Sequence, residues 1–284
     1  MKEFHSFVID DGLTQIEDLS GTKFYLVEGK ESAALLDTGI GLGDISAYVK
    51  TLTDKPLIVL ITHGHLDHAM GSGTFDASVP LYMSPLDLKV YEKHTSLPMR
   101  KNYWKSTQNL FSRFKDPDQL PWKTPALPQR FLPLKPGDCF DLGGETVEIC
   151  PGAGHTPGCV TILLQNHRIL LLGDAVNNFT YLFDENTLPV STLRNTLSTL
   201  RESVNGRYDR TLFCHGMRKR PGFGDIRMIE GGIMLCDLIL AGKDRHIQTE
   251  MIGHPCFSAK RMFPKDDLGD HSACNILYSE RTKR

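Results

Sequence analysis

The segment Thr62-His63-Gly64-His65-Leu66-Asp67-His68 holds three imidazoles and a carboxylate within six residues, directly after the apolar run Leu57-Ile58-Val59-Leu60-Ile61. Side chains two apart on an extended chain share a face, so His63 and His65 can reach one metal ion together. Gly64 between them has no side chain to crowd that ion. Asp67 and His68 lie past a bend and can face a second ion. Three further candidates end later apolar runs or sit in the loops after them: His155 in Gly154-His155-Thr156-Pro157-Gly158, Asp174 in Gly173-Asp174-Ala175, and His215 in His215-Gly216. The glycine-proline loop can fix an imidazole, and the two oxygens of a carboxylate can bridge two cations. Taken singly, each reads more readily as a turn histidine, a capping aspartate or a buried strand-end histidine. Taken together, the seven complete two coordination shells.

Such groups need strands that end at them. Apolar, β-prone runs predict strands over 24–27, 33–36, 56–62, 138–142, 146–150, 160–164, 168–172 and 210–214. Helical spacing marks 44–53, 84–94 and 226–240, and a helix capped by Ser191 with Leu193, Leu197 and Leu200 on one face. Ser84-Pro85-Leu86-Asp87 reads as a capped helix start. Strands and helices alternate in two halves, about 1–125 and 126–250, so the expected class is α/β with a duplicated unit. The stretch 95–132 differs in texture: it holds Trp104, Phe111, Phe114, Trp122 and five prolines, with a short helix expected over 102–114. It reads as an insertion, serving as a lid, an apolar pocket wall, outer packing or a homodimer contact.

The pattern His63-x-His65-x-Asp67-His68, followed in order by His155, Asp174 and His215, resembles the metallo-β-lactamase superfamily across roughly residues 20–220. The resemblance implies a four-layer αββα sandwich, here a single domain over 1–284 carrying the 95–132 insertion. It implies that His63, His65 and His155 hold one ion, that Asp67, His68 and His215 hold the other, and that Asp174 bridges them. Asp67 and Asp174 are then the carboxylates expected to act in catalysis. Asp37, in Leu36-Asp37-Thr38-Gly39, matches a family position that orients a ligand imidazole. The ions expected are divalent, zinc first, with iron or manganese as alternatives. The reaction expected is hydrolysis of a small-molecule ester, thioester or lactone by a hydroxide held on the metals. Phosphodiester or phosphonate hydrolysis on the same metals, and a non-catalytic metal-binding relative, are the alternatives.

The superfamily spans many chemistries, so the fold does not choose among them. Lysine and arginine total 32 against 34 aspartate and glutamate, a net charge of -2, which argues against nucleic acid or an anionic membrane as partner. Seven cysteines without a CxxC spacing suggest free thiols in a reducing cytoplasm, and the opening MKEFHSFVID lacks an apolar run. Superfamily lactonases place a tyrosine three residues after the bridging aspartate, where this chain has Asn177; Tyr181 follows farther along. Tyr181, with Arg218 and Lys219 beside His215, is the candidate for substrate contact. His254 reads as structural.

Overall fold

Alternation of short apolar strands with turns makes the first stretch of chain a sheet. The computed structural model describes residues 3–107, 116–215, 223–261 and 272–284. The described residues form two units, one running up to Val147 and one from Glu148 onward.

The first unit contains β1 (Phe4–Asp10), β2 (Leu13–Asp18), β3 (Lys23–Glu28), β4 (Ala33–Leu36), α1 (Ile45–Val49), β5 (Leu57–Leu60), α2 (Leu66–Ala69), β6 (Leu81–Met83), α3 (Leu88–His94), α4 (Leu97–Thr107), β7 (Phe131–Pro133) and β8 (Cys139–Asp141). Seven strands pair in sequence order from β1 to β7. The meander β1 to β4 is antiparallel, and β4 to β7 run parallel. Every residue of β4 is buried, as its unbroken Ala-Ala-Leu-Leu requires of a strand covered on both faces. β4 and β5 pair with Leu36 opposite Leu60, so both chains leave the sheet side by side at their C-terminal ends. The Asp37 amide accordingly donates to the Leu60 carbonyl at 2.9 Å.

The second unit contains β9 (Thr146–Pro151), which crosses the boundary, then β10 (Val160–Leu164), β11 (Ile169–Leu171), β12 (Thr180–Leu182), α5 (Val190–Ser203), β13 (Arg210–Leu212), α6 (Met228–Leu240), β14 (Ile247–Met251), β15 (His254–Ser258) and β16 (Ile276–Tyr278). Neighbouring strands run β13-β11-β10-β9, and a separate sheet runs β12-β16-β15-β14. β11 and β13 are parallel with Leu171 opposite Leu212, so they too end side by side. Leu193, Leu197 and Leu200 of α5 pack into the core with Ile229, Leu235 and Ile239 of α6.

Several expected boundaries move. The first unit reaches Val147 rather than about 125, because β7 joins its sheet beside β6. Ser84 makes no side-chain cap bond; a single 3-10 turn over Pro85–Asp87 precedes α3. Ser191 lies inside α5, whose cap is Pro189, and its hydroxyl donates to the Arg284 carbonyl. The insertion helix starts at Leu97, with Pro98 in its first turn. Phe111 and Phe114 lie outside the described residues. Trp104 is 1% exposed within the first unit's core, edge-on to Trp122 at 6.4 Å between ring centroids. Among the described residues no helix is long and apolar enough to cross a membrane. Truncating Trp104 to alanine is expected to destabilise the first unit by about 3–5 kcal/mol, the usual range for a large buried aromatic; a denaturant melt of Trp104→Ala checks this.

Candidate metal centre

The first unit's donors gather where β4 and β5 end. Asp37 is fully buried and sits at φ +68°, the left-handed region that aspartate tolerates better than bulkier residues. Its Oδ1 accepts the Thr62 amide at 2.7 Å, and its Oδ2 lies 2.8 Å from Thr62 Oγ1 and 2.9 Å from His68 Nδ1. Thr62 Oγ1 is also 3.1 Å from His63 Nδ1. A hydroxyl has one proton, and a carboxylate can only accept, so Thr62 donates to Asp37 and accepts from His63 Nδ1–H. Asp37 accepts from His68 Nδ1–H directly. Both imidazoles therefore carry the proton on Nδ1 and the lone pair on Nε2, the arrangement a metal-binding histidine needs.

The turn after β5 keeps these rings together. The ring centroids of His63 and His65 are 4.8 Å apart, and those of His63 and His68 are 4.0 Å apart. Asp67 Oδ1 lies 3.8 Å from His68 Nε2. Gly64 has a reason beyond leaving room for an ion: a Cβ there would stand 2.7 Å from the Asp87 carbonyl oxygen and 2.9 Å from the Tyr91 amide nitrogen. Only glycine lets the turn lie this close to α3.

Three contacts to this turn were not foreseen. Asp87 accepts the Gly64 amide at 2.8 Å, so the acid read as part of a helix start is tied to the turn. His94 Nδ1 accepts the Leu66 amide at 3.0 Å, and its ring stacks on His65 at 4.9 Å. Tyr103 donates to Asp67 Oδ2 at 2.9 Å. Each joins residues more than twenty positions apart, a pairing that no local pattern marks.

The second unit's donors gather where β11 and β13 end. His215 Nε2 is 3.1 Å from Asp174 Oδ2, and His155 Nε2 is 3.7 Å from the same oxygen. His155 Nδ1 lies 2.8 Å from the Tyr181 carbonyl, which can only accept, so this ring too carries its proton on Nδ1. The contact from Tyr181 is thus made by main chain; its ring leans on Phe183 at 5.0 Å. Asn177 donates through Nδ2 to the Gly173 carbonyl and to Asp174 Oδ1, each at 3.3 Å, while its Oδ1 accepts the Phe179 amide at 2.7 Å. The residue standing where lactonases place tyrosine here braces the carboxylate. Arg218 and Lys219 lie outside the described residues. His254 is exposed, near the Phe183 ring.

Each unit therefore brings together imidazole and carboxylate groups of the types divalent metals take. Residues 18–215, more than half of the chain, match the model of the metallo-beta-lactamase superfamily. The chain belongs to the metallo-beta-lactamase superfamily. Among solved structures, similar members of the superfamily fold include the metallo-beta-lactamase from Pontibacter korlensis (TM-score 0.56, 19% identity, covering 82% of this chain and 99% of that one). Another neighbour is the sec-alkylsulfatase Pisa1 from Pseudomonas sp. (TM-score 0.63, 15% identity, 84% of this chain and 42% of that one). At these identities the likeness is one of fold, and it bears out the metallo-β-lactamase fold expected from the motif order. Curated relatives include the acyl-coenzyme A thioesterase MBLAC2 of Gallus gallus, 24% identical over 168 residues (54% of this chain, 56% of the relative). They also include the mitochondrial persulfide dioxygenase ETHE1 of Homo sapiens, 28% identical over 163 residues (56% and 50%). The chain spans about half the length of these relatives. A probable metallo-hydrolase of Streptococcus pyogenes is 24% identical over 226 residues, 73% of this chain and 88% of its own length.

Replacing Asp37 by asparagine keeps a residue that tolerates the left-handed backbone but offers one acceptor oxygen where two are used. With the amide oxygen at the Oδ2 position the amide NH2 faces the Thr62 N–H, and with it at the Oδ1 position the NH2 faces His68 Nδ1–H, so either way a donor meets a donor in the group that orients the rings. Metal affinity of Asp37→Asn is expected to fall about 10–100-fold. Competition against a chromophoric chelator measures it, and wild-type affinity would show that the second oxygen and the charge of Asp37 do not matter to the rings it orients.

Proposed function

We propose that this superfamily member is a metal-dependent hydrolase of a small-molecule ester or thioester. The observation that carries the reading is the tautomer fixing: His63 and His68 through Asp37, and His155 through Tyr181, all keep Nε2 as the lone-pair nitrogen. A buried imidazole kept for packing alone has no need of the same face in every copy. The donors fit divalent metal by type as well, since histidine nitrogen and carboxylate oxygen suit zinc, with iron or manganese accommodated by similar sets.

In this reading His63, His65 and His155 would hold one ion, Asp67, His68 and His215 the other, and Asp174 both. What supports joining the two clusters is their order along the segment 18–215 that matches the family. Divalent ions so held supply Lewis acidity, lowering the pKa of water and polarising a substrate carbonyl. The chain's own residues do the rest. Asp37 and Thr62 hold two imidazoles in register, the Tyr181 carbonyl holds a third, and Asn177 keeps Asp174 from rotating. Asp67 and Asp174 are the carboxylates expected to act in catalysis, as ligands of the ions.

The substrate class leans on two features. Asn177 occupies the position where a lactonase tyrosine would stand and is engaged in bracing Asp174, which disfavours lactones. A thioesterase and a probable metallo-hydrolase are among the relatives, which favours acyl transfer to water. The persulfide dioxygenase relative suggests a second reading, oxygen chemistry at iron. A facial triad of two histidines and one carboxylate suffices for a non-haem iron oxygenase. The further donors Asp67, His68 and His215 favour the hydrolase.

Elemental analysis of the purified protein, run beside a panel of chromogenic esters, acyl-coenzyme A thioesters, lactones and phosphodiesters, tests the reading. Two divalent ions per chain and turnover of esters or thioesters are expected. Oxygen uptake with a persulfide substrate and one bound iron would replace this reading with the dioxygenase; full metal loading with no turnover would leave a binding protein. Asp174→Ala should lose turnover and more metal affinity than the about 10–100-fold that removal of a partner behind a ligand costs. Normal rates with both ions in that variant would refute the bridging role.

A further inference from the structure

Helix α4 contributes nothing to the proposed ligand set, yet one of its side chains touches it. Tyr103 Oη lies 2.9 Å from Asp67 Oδ2. An ionised carboxylate only accepts, so the phenol donates, and a bond to a charged oxygen is among the stronger hydrogen bonds. The other oxygen of Asp67 points elsewhere, with Oδ1 lying 3.8 Å from His68 Nε2. The two oxygens thus have separate directions: Oδ2 toward α4, and Oδ1 toward the nitrogen on which Asp37 has placed the lone pair.

The phenol is held where it is. Trp104, the next residue, is locked in the first unit's core. Arg100, three residues before Tyr103, donates through Nη1 to the Lys123 carbonyl at 3.0 Å. The Thr107 hydroxyl donates to the Tyr103 carbonyl at 2.8 Å. Buried Arg100, Trp104 and Thr107 form the helix face that faces inward, and Tyr103 stands half-buried at the edge of that face, over the 63–68 turn.

We propose that Tyr103 is a positioning residue for Asp67: its phenol occupies Oδ2, so that the carboxylate meets metal through Oδ1 alone. The proposal rests on the two-metal reading above. It makes α4, which lies outside the ligand motifs, a working part of the second metal position. Without the phenol, Oδ2 is released to rotate or to compete for the ion, and the pairing of Asp67 with His68 loosens.

The test is Tyr103→Phe, which removes one oxygen and keeps the ring. Metal-free wild type and variant are melted, then titrated with Co2+ while the visible absorption of the bound ion is recorded. The expected result is an unchanged melting temperature without metal, about 10–100-fold weaker binding of one Co2+ with the other unaffected, and a shifted absorption band for the weakened position. Lys101→Ala breaks the exposed ion pair from the same helix to Asp118 and should bind Co2+ as wild type does. A variant that binds both ions at wild-type affinity with an unchanged spectrum overturns the proposal. So does one whose metal-free form melts lower and whose two affinities fall together, since that is the mark of a structural role only. Wild type taking up fewer than two Co2+ overturns the two-metal reading itself, a failure visible before any substitution is made.

Discussion

A carboxylate sealed away from water is the constraint around which the first unit's donors are arranged. Asp37 has no exposed surface, and an ionised group so placed must find donors or be driven out of its charged form. It finds the Thr62 amide, the Thr62 hydroxyl and His68 Nδ1–H. Satisfying Asp37 therefore dictates how Thr62 turns, and through Thr62 how His63 is protonated. One buried charge thus settles two ring tautomers. Its left-handed backbone, which costs about 1–3 kcal/mol at a residue other than glycine, is what turns the carboxylate back toward β5.

Both units solve the placement of donors in the same way. In each, two adjacent parallel strands end level with one another, and the residues just past the ends carry the chemistry: Asp37 and Thr62-His63 after β4 and β5, Asp174 and His215 after β11 and β13. Antiparallel neighbours would send their C-terminal ends to opposite edges of the sheet. Parallel pairing is thus a condition for these clusters, and it fits the burial of β4 and β11 along their whole length.

The sequence made these strands legible because a parallel, doubly covered strand is an unbroken apolar run, and the donors follow such runs directly. Asp37, the 63–68 motif and Asp174 could be picked out for that reason, while His155 stood out by its glycine-proline loop and His215 by following the strand expected over 210–214. Other features left no local trace. β16 and β12 are three residues each, too short for a period to show, so the sheet β12-β16-β15-β14 went unread. Asn177 was visible only as a departure from a family pattern; its bonds to Asp174 and Gly173 depend on how the loop after β11 folds back. The Tyr181 contact with His155 is a backbone carbonyl, which any residue would supply, so side-chain identity carried no sign of it.

The donors themselves do not decide the reaction, since relatives carrying a thioesterase name and a dioxygenase name both match this chain. What distinguishes members must lie in the groups behind and around the ligands. In this chain that surrounding is unusually ordered: Asp87, His94 and Tyr103 take hold of Gly64, Leu66 and Asp67 in turn, so that chain order in the 87–103 segment follows chain order in the turn. Such a row can form only if α3 and α4 lie along the turn rather than across it, and Gly64 is the residue that permits that approach. Of this row only Tyr103 belongs to the 95–132 stretch that reads as an insertion; Asp87 and His94 belong to the helical segment expected over 84–94. Changes in α4 then reach Asp67 through a single hydrogen bond, a short route from a helix outside the 63–68 motif to one of its carboxylates.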